Sequence, residues 1–319
     1  MTQVILGAGG DIGKLLAKEL KQYTNRVRLV ARNPEQANGD DELFPADLLS
    51  AEQVDKAVSG TAVAYLVVGL KYDLRVWRKS WPVIIQNVID ACLKHRVKLV
   101  FFDNIYVYDK NAIPHMTEES NLNPPSKKGK VRLKVFHAIT SAIDQKGLRA
   151  MTLRCADFYG PDAKNGILNI MVLNPVSKGK RSSWQSNAHK THSLTYTPDA
   201  AKATAILGNT DSAYNQVWHL PTSFERWTGK DFITRAAAMK NTKPSYYVLN
   251  PFFIALAGLF NRTIWELLEM QYQNNQEYFF DSQKFCKAFD FTPTSYEEGI
   301  SRVLKESEKY GSAGQAPGL

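Results

Sequence analysis

The sequence predicts an α/β protein built on a doubly wound parallel sheet, and three observations lead to this prediction. Short apolar runs alternate with amphipathic helical patterns over the first half of the chain. A glycine-rich turn follows the first apolar run directly and opens the first helical pattern. The chain has 319 residues, 44% of them hydrophobic and 22% charged, so a core can form without metals or disulfides.

The order of the elements supports a parallel sheet with helices on both faces. The predicted strands are Val4–Leu6, Val27–Ala31, Ala62–Val68, Lys98–Phe102 and Ala150–Cys155. The predicted helices are Ile12–Gln22, Ala51–Val58, Trp81–His95, Lys130–Lys146, Phe232–Met239 and Ile254–Gln276. Strict alternation of the two types, joined by right-handed crossovers, produces the doubly wound arrangement.

The pattern becomes less regular after Asp157, which predicts a change of domain. We expect residues 1–157 to form the nucleotide-binding domain and residues 158–310 to form a substrate-binding lobe with elements that return to the first domain. Residues 311–319, with the sequence GSAGQAPGL, are expected to be a flexible tail.

Charge and cysteine content indicate a protein that handles small anionic molecules. The net charge is +9, but no aromatic stacking module or basic stripe accompanies it, so nucleic acid is not a predicted partner. The three cysteines are far apart and form neither a zinc pattern nor a disulfide framework, which favours a reducing cytoplasm.

The sequence gives no indication of a membrane location. The first residues lack a basic region followed by an apolar stretch, so no signal peptide is expected. The longest apolar stretch, Val248–Phe260, is shorter than the about 20 residues that span a bilayer. We expect a buried or interfacial helix there.

The turn Gly7-Ala8-Gly9-Gly10-Asp11-Ile12-Gly13 predicts a nucleotide-binding loop. In such a loop the first glycine permits a tight turn, the second lets the backbone approach a pyrophosphate, and the third lets helix and strand pack closely. The helix N-terminus then offers N–H groups and the positive end of its dipole to the phosphates. Candidate cofactor contacts are Gly7, Gly10, Asp11, Ile12 and Gly13; a tight turn without a ligand is the alternative.

Arg32, directly after the second predicted strand, bears on the identity of the cofactor. An NAD site usually places a carboxylate here to accept from the ribose 2′-hydroxyl, whereas a guanidinium can bind the 2′-phosphate of NADP. The sequence therefore predicts NADP, with NAD as a second option. The alternative is a surface arginine at a strand end.

The spacing Gly-x-x-Gly-x-x-Gly resembles that of the extended and atypical short-chain dehydrogenase/reductase superfamily, whose nucleotide-binding part is a Rossmann domain. Ala46-Asp47-Leu48 resembles the Asp-Leu step that contacts adenine there, and Val67-Val68-Gly69 ends the strand whose backbone passes the cofactor. This resemblance adds Asp47, Leu48, Val68 and Gly69 to the expected cofactor contacts.

Further blocks resemble the NAD-dependent epimerase/dehydratase family, in an atypical branch with altered catalytic residues. The blocks are Asp103–Asp109, Pro124–Arg132, Leu153–Pro161 and Tyr196–Ala201. Where that family has its catalytic serine or threonine, its tyrosine and its lysine, this chain has Asn104, Lys128 and Arg132.

The resemblance implies roles for these three positions. The family's tyrosine is a general acid/base, whereas an arginine cannot relay a proton at neutral pH. We expect Arg132 to hold the cofactor ribose and Asn104 to orient the substrate oxygen. Lys128 has three interpretations: a general acid/base, a charged anchor for an anionic group, or a solvated lysine. Tyr106 is a candidate replacement phenol, while Tyr108 falls on a position that packs in the family.

Three further residues are candidates for the substrate side. Asp103 stands at the end of a predicted strand, either as a carboxylate near the nicotinamide or as a loop cap. Tyr159 belongs to a block that resembles the family's, and His192 lies in a segment that lines the substrate in relatives, although an ordinary loop histidine is equally consistent. No metal site is predicted, because no third ligand accompanies His189 and His192.

These patterns predict an NADP(H)-dependent oxidoreductase or epimerase/dehydratase-like enzyme acting on a small carbonyl or hydroxyl compound, nucleotide-linked or phosphorylated. The alternative is a non-catalytic NADP-binding redox sensor or regulatory protein. The apolar face of the helix around Ile264–Tyr272 suits packing within the lobe or a subunit contact, so a homodimer is one expected assembly.

Overall fold

A computed structural model describes residues 1–161, 163–250, 265–266 and 268–313. The chain divides into two compact units. The first comprises Met1–Lys110, Thr117–Cys155 and Ala200–Leu220, and the second comprises Asn111–Met116, Ala156–Asp199 and Pro221–Leu319.

The first unit contains a seven-stranded parallel sheet. With strands numbered along the whole chain, its members are β1 (Thr2–Leu6), β2 (Val27–Ala31), β3 (Glu42–Pro45), β4 (Thr61–Leu66), β5 (Lys98–Asn104), β6 (Ala150–Cys155) and β10 (Val217–His219). Their order is β10-β6-β5-β4-β1-β2-β3, and every neighbouring pair is parallel. The predicted doubly wound sheet is confirmed, and its order reverses between β1 and β4, where such sheets bind ligands at their carboxyl ends.

Burial along the strands follows their place in the sheet. All five residues of β1 are buried, as expected for a central parallel strand covered on both faces. β3 is an edge strand with alternating half-buried and exposed residues. It has only four residues, with a proline at its end, which explains why the apolar pattern did not predict it.

Five helices accompany this sheet: α1 (Gly13–Leu20), α2 (Ala51–Val58), α3 (Leu74–His95), α4 (Lys127–Lys146) and α6 (Thr197–Gly208). The predicted start of α3 at Trp81 is wrong by two turns. Asp73 caps the helix by accepting a hydrogen bond from the backbone N–H of Arg75 at 2.8 Å, so Pro82 lies inside the helix. The helices α2, α3 and α4 share one apolar core with the sheet, in which Val54, Ile85 and Val135 are buried.

The second unit combines short strands and helices. β7 (Asp157–Tyr159) pairs with β9 (Leu194–Tyr196), and β8 (Ser182–Gln185) pairs with β11 (Tyr246–Leu249), both in parallel. Its helices are α5 (Asn174–Ser177), α7 (Gly229–Met239), α8 (Gln283–Ala288) and α9 (Tyr296–Ala313). Aromatic side chains dominate its core, among them Tyr159, Phe232 and Tyr296.

Some predicted elements lie largely outside the described residues. These are the helix Ile254–Gln276, the apolar stretch Val248–Phe260 beyond Asn250, the start of the segment Ile264–Tyr272, and residues 314–319 of the tail. Within the described parts of the chain, none of the helices combines the length and the apolar character needed to cross a bilayer.

Candidate active site

The glycine loop lies against the end of β2. The backbone N–H groups of Gly7 and Ala8 both donate to the carbonyl of Val30, at 2.9 and 3.0 Å. Gly7 has φ +93°, a backbone conformation that disfavours side chains, and a Cβ at this position would overlap Val68 at the end of β4. The loop therefore sits between the carboxyl ends of β2 and β4.

The lack of a side chain has different reasons at Gly10 and at Gly13. A Cβ on Gly13 would overlap Ala8, so this glycine serves the close packing of α1 on the loop. A Cβ on Gly10 would be 3.8 Å from the Gly7 carbonyl oxygen and 4.0 Å from that of Val67, which is ordinary contact. Among the described residues no neighbour requires a glycine at this position, so the lack of a side chain at Gly10 fits the close approach of a ligand.

The N-terminus of α1 follows the glycine loop directly, and the N–H of Gly13 donates to the Gly10 carbonyl at 3.1 Å. Its N-cap residue Ile12 is buried, and no side chain in the described chain caps the helix. The first turn contains no acidic residue, and Asp11, just before it, is half-buried. Uncapped N–H groups and the positive end of the helix dipole suit a phosphate.

The other expected cofactor residues surround the same sheet edge. Arg32 is exposed directly after β2, and no carboxylate among the described residues pairs with it. Asp47 is exposed after β3, where its Oδ1 accepts from the N–H of Leu49 at 3.0 Å, and Leu48 is buried. Val68 is half-buried and Gly69 is exposed after β4.

Asn104 and Tyr106 form a short turn at the end of β5. The Asn104 Oδ1 accepts a hydrogen bond from the backbone N–H of Tyr106 at 3.1 Å, so this side chain shapes the turn. The Tyr106 ring stacks on Trp77 of α3 with a centroid distance of 6.2 Å. Both side chains are half-buried.

Arg132 is buried and paired with Asp103. Its Nε and Nη2 lie 2.7 and 2.5 Å from the Asp103 Oδ1, and its guanidinium packs over the rings of Trp81 at 4.2 Å and Phe101 at 4.8 Å. Asp103 Oδ1 also accepts from the N–H of Asn104 at 2.8 Å. The expected ribose contact of Arg132 would require this pair to open.

Lys128 is fully buried in the first turn of α4. Its Nζ lies 4.3 Å from the ring centroid of Tyr72, in the loop between β4 and α3. Ser126 caps the helix by accepting from the N–H of Gly129 at 2.9 Å, and a Cβ on Gly129 would overlap the carbonyl of Tyr106. Because Lys128 has no exposed surface, its interpretation as a solvated side chain is wrong.

Tyr108 belongs to a buried polar cluster behind the turn. Its Oη accepts from Arg154 Nη1 at 2.9 Å and lies 2.5 Å from His219 Nε2. Burial raises the pKa of Tyr108 to about 12, although Arg154 opposes the shift. The neutral phenol therefore donates to His219, and the position is structural.

The second unit holds the remaining candidates. His192 is buried, with its Nε2 2.9 Å from Asp157 Oδ2 and its ring stacked on Tyr278 at 4.2 Å. Tyr159 has no exposed surface and packs against Tyr196 and Tyr296 in the aromatic core. Sequence reasoning missed Asp157, although it stands in the same block as Tyr159 and is partly exposed.

Solved structures of similar fold cover almost the whole chain. UDP-N-acetylglucosamine 4-epimerase from Bacillus cereus has a TM-score of 0.77 and 17% identity, with 97% of this chain and 96% of that chain covered. UDP-glucuronic acid 4-epimerase from Bacillus cereus, in complex with UDP-glucuronic acid and NAD, has a TM-score of 0.79 and 16% identity, with 97% and 100% covered. At such identities the likeness establishes the fold alone.

Sequence comparison adds a relative and a family. UDP-N-acetyl-alpha-D-glucosaminuronate decarboxylase from Bacillus cytotoxicus is 23% identical over 225 residues, which are 63% of this chain and 69% of the relative. The sequence pattern of the NAD dependent epimerase/dehydratase family matches residues 3–218, about two thirds of the chain. The chain belongs to the NAD-dependent epimerase/dehydratase family.

Proposed function

We propose that this protein is an NADP(H)-dependent enzyme that oxidises or reduces a sugar carbon of a nucleotide-linked substrate. The observation that carries the proposal is Gly10, a glycine that its described neighbours do not require, just before α1, whose N-cap residue Ile12 makes no side-chain cap. The residues present fit a dinucleotide, because the backbone can approach a pyrophosphate there and the helix dipole favours its charge. A bound nicotinamide ring would supply hydride transfer.

Arg32 supports NADP over NAD. It is exposed beside the glycine loop, since Val30 of the same strand accepts from both Gly7 and Ala8. No carboxylate of the described chain neutralises it, so its guanidinium is available for the 2′-phosphate. The solved structures that name a cofactor name NAD, which makes the preference for NADP a property proposed for this chain.

A nucleotide-linked sugar is the substrate class that the relatives favour. UDP-linked sugars appear in the names of the decarboxylase and of both Bacillus cereus epimerases. In this chain, Asn104 at the end of β5 is the polar group that we propose for substrate contact. Tyr159 is left out because it is fully buried in the aromatic core.

A second candidate function follows from the altered positions in α4. Lys128 and Arg132 are both buried, and Arg132 is closed onto Asp103. A site arranged in this way could bind NADP(H) without turnover, as expected of a redox sensor or regulatory protein.

One experiment separates these functions. The purified chain would be mixed with NADP⁺ or NAD⁺ and with UDP-glucose, UDP-glucuronic acid or UDP-N-acetylglucosamine, while absorbance at 340 nm and the sugar products are followed. Altered sugar products support the enzyme. Saturable cofactor binding with no product from any sugar favours the sensor, and absence of cofactor binding rejects both.

A further inference from the structure

The loop between β4 and α3 carries a tyrosine that neither the motifs nor the resemblance identified. This loop starts at the proposed cofactor space, because Gly7 closely approaches Val68 and Gly10 faces the carbonyl of Val67. Tyr72 follows four residues after Val68 and is half-buried. The loop that carries Tyr72 therefore starts at the same edge of the sheet as the glycine loop.

Hydrogen bonds to the preceding residue and a ring contact hold the loop at Tyr72. The indole Nε1 of Trp77 donates to the carbonyl of Lys71 at 3.0 Å, and the N–H of Asp73 donates to the same carbonyl at 2.7 Å. The Tyr72 ring meets the Trp77 ring edge to face at 5.9 Å. A phenol fixed by its neighbours meets a requirement of acid/base catalysis, because the group must stay within reach of the proton it moves.

A buried cation lies over this ring. The Nζ of Lys128 is 4.3 Å from the Tyr72 ring centroid, and the lysine has no exposed surface. A desolvated cation over an aromatic face interacts more strongly than an exposed one. The negative charge of a phenolate spreads into its ring, so a cation at this place stabilises the phenolate more than the neutral phenol.

We propose that Tyr72 and Lys128 form the acid/base pair of this protein, with Tyr72 as the proton-transferring phenol and Lys128 as the cation that stabilises its ionised form. The proposal rests on the proposed redox function. It also accounts for a lysine at the position where the family has its tyrosine: the phenol is supplied by the β4–α3 loop and the cation by α4.

The proposed step balances in atoms and electrons. In the oxidative direction the substrate hydroxyl gives its proton to the Tyr72 oxygen, and a C=O bond forms at the same carbon. The C–H bond of that carbon breaks, and a bound NADP⁺ would accept its two electrons as hydride. In the reductive direction Tyr72 returns the proton to the new hydroxyl.

Among the charged groups near Tyr72, Lys128 is the one to which we assign the stabilisation of the phenolate. Arg132, one turn further along α4, is neutralised by Asp103 at 2.5 Å. On the loop side, Asp73 pairs with Arg75 at 3.1 Å, and Lys71 is exposed. Tyr106, the other phenol nearby, stacks its ring on Trp77 with an interplanar angle of 20°.

The first test needs no substrate. Tyrosinate absorbance at 295 nm would be followed against pH in the wild type, Tyr72→Phe, Lys128→Met and the double variant, with Tyr23→Phe as an exposed control. Subtracting each Tyr72→Phe spectrum from its parent isolates one phenol. We expect that phenol to ionise at a pH at least about one unit lower with Lys128 than with Met, equivalent to a tenfold change in equilibrium. Equal midpoints in the two backgrounds would overturn the proposal.

The second test uses turnover and does not depend on the folding of Lys128→Met. Tyr72→Phe keeps the ring under the lysine and removes only the hydroxyl. We expect kcat with the active UDP-sugar to fall about 10²–10⁴-fold, while KM and the Kd for NADPH change by less than about threefold. A kcat equal to that of wild type would overturn the proposal. If wild-type protein turns over none of the sugars, the proposed function fails, and the absorbance test still decides whether Lys128 acts on Tyr72.

Discussion

Gly7 and Gly10 are three residues apart, but a methyl group at each would meet different surroundings. At Gly7 a Cβ would overlap Val68 and the backbone has φ +93°, so Gly7→Ala should destabilise the fold by about 1–3 kcal/mol. At Gly10 the nearest atoms would be 3.8 and 4.0 Å away, so Gly10→Ala should leave stability unchanged. The methyl group would instead occupy the space proposed for the pyrophosphate and weaken NADPH binding.

Thermal unfolding and NADPH titration of the two variants check this prediction. The expected pattern is a lowered Tm for Gly7→Ala and a normal Tm with at least about tenfold weaker binding for Gly10→Ala. A Gly10→Ala protein that binds NADPH as wild type does would show that the space in front of Gly10 is not the phosphate site.

The spacing in the sequence predicted a tight turn at Gly7, because that role depends on local backbone geometry, whereas the role of Gly10 stays a prediction. The surroundings of Arg132 could not be predicted in the same way. An arginine at this position is compatible with a ribose contact, and only the fold shows that Asp103 lies 2.5 Å from its Nη2. Tyr72 was missed for the same reason, since no sequence spacing links it to Lys128.

At the scale of elements, β5 and α4 are joined by the buried pair Asp103–Arg132. Asp103→Asn should destabilise the protein by about 3–5 kcal/mol, because it leaves the guanidinium buried without a compensating charge. Replacing both partners, as Asp103→Leu with Arg132→Met, should recover most of that loss, since apolar side chains suit the surrounding rings of Trp81 and Phe101.

Urea denaturation of Asp103→Leu, Arg132→Met and the double variant measures this coupling. If the double variant loses as much free energy of unfolding as the two single variants together, the pair is not coupled. The structural role assigned to Arg132 is then wrong.

The start of α3 shows how a local signal can mislead at the level of an element. The sequence prediction started the helix at Trp81, next to Pro82, a residue type that favours the first turn of a helix. The cap at Asp73 begins the helix two turns earlier and thereby fixes the end of the loop that carries Tyr72. The residues that follow Asp73 include Arg75, Arg78 and Lys79, so the first turns of α3 show no clear apolar periodicity. A helix cap that is followed by such residues is easily overlooked in the sequence.

For the whole molecule, buried phenols predict a loss of stability at alkaline pH. Desolvation by burial raises the pKa of Tyr108 to about 12, and it also raises the pKa values of Tyr65, Tyr159, Tyr214 and Tyr296. Between the unfolded and folded pKa values, the unfolded chain releases a proton that the folded chain retains, so stability falls as pH rises. The effect is absent below about pH 9 and begins near pH 10.

Tyr108→Phe isolates one of these phenols. Between pH 10 and 12 its free energy of unfolding should fall less steeply than that of wild type, by about 1.4 kcal/mol per pH unit. Urea denaturation at a series of pH values gives the two slopes, with Tyr23→Phe as the surface control. Identical slopes would show that Tyr108 ionises equally in both states.

The doubly wound sheet was predictable because alternating apolar runs and helical patterns describe it almost completely. The second unit was not, because β7, β8, β9, β11 and α5 have only three or four residues each and leave no periodic pattern. Its pair Asp157–His192 joins residues 35 positions apart and becomes visible only in the fold.

The most direct test of the central claim is a fluorescence titration of the purified protein with NADPH and with NADH, repeated on Arg32→Ala. We expect NADPH to bind at least about tenfold more tightly, a difference of about 1.4 kcal/mol, and we expect Arg32→Ala to remove this difference while NADH binding is kept. Absence of binding by either nucleotide would contradict the account, because the glycine loop, the open N-terminus of α1 and the exposed Arg32 would then bind no nicotinamide cofactor.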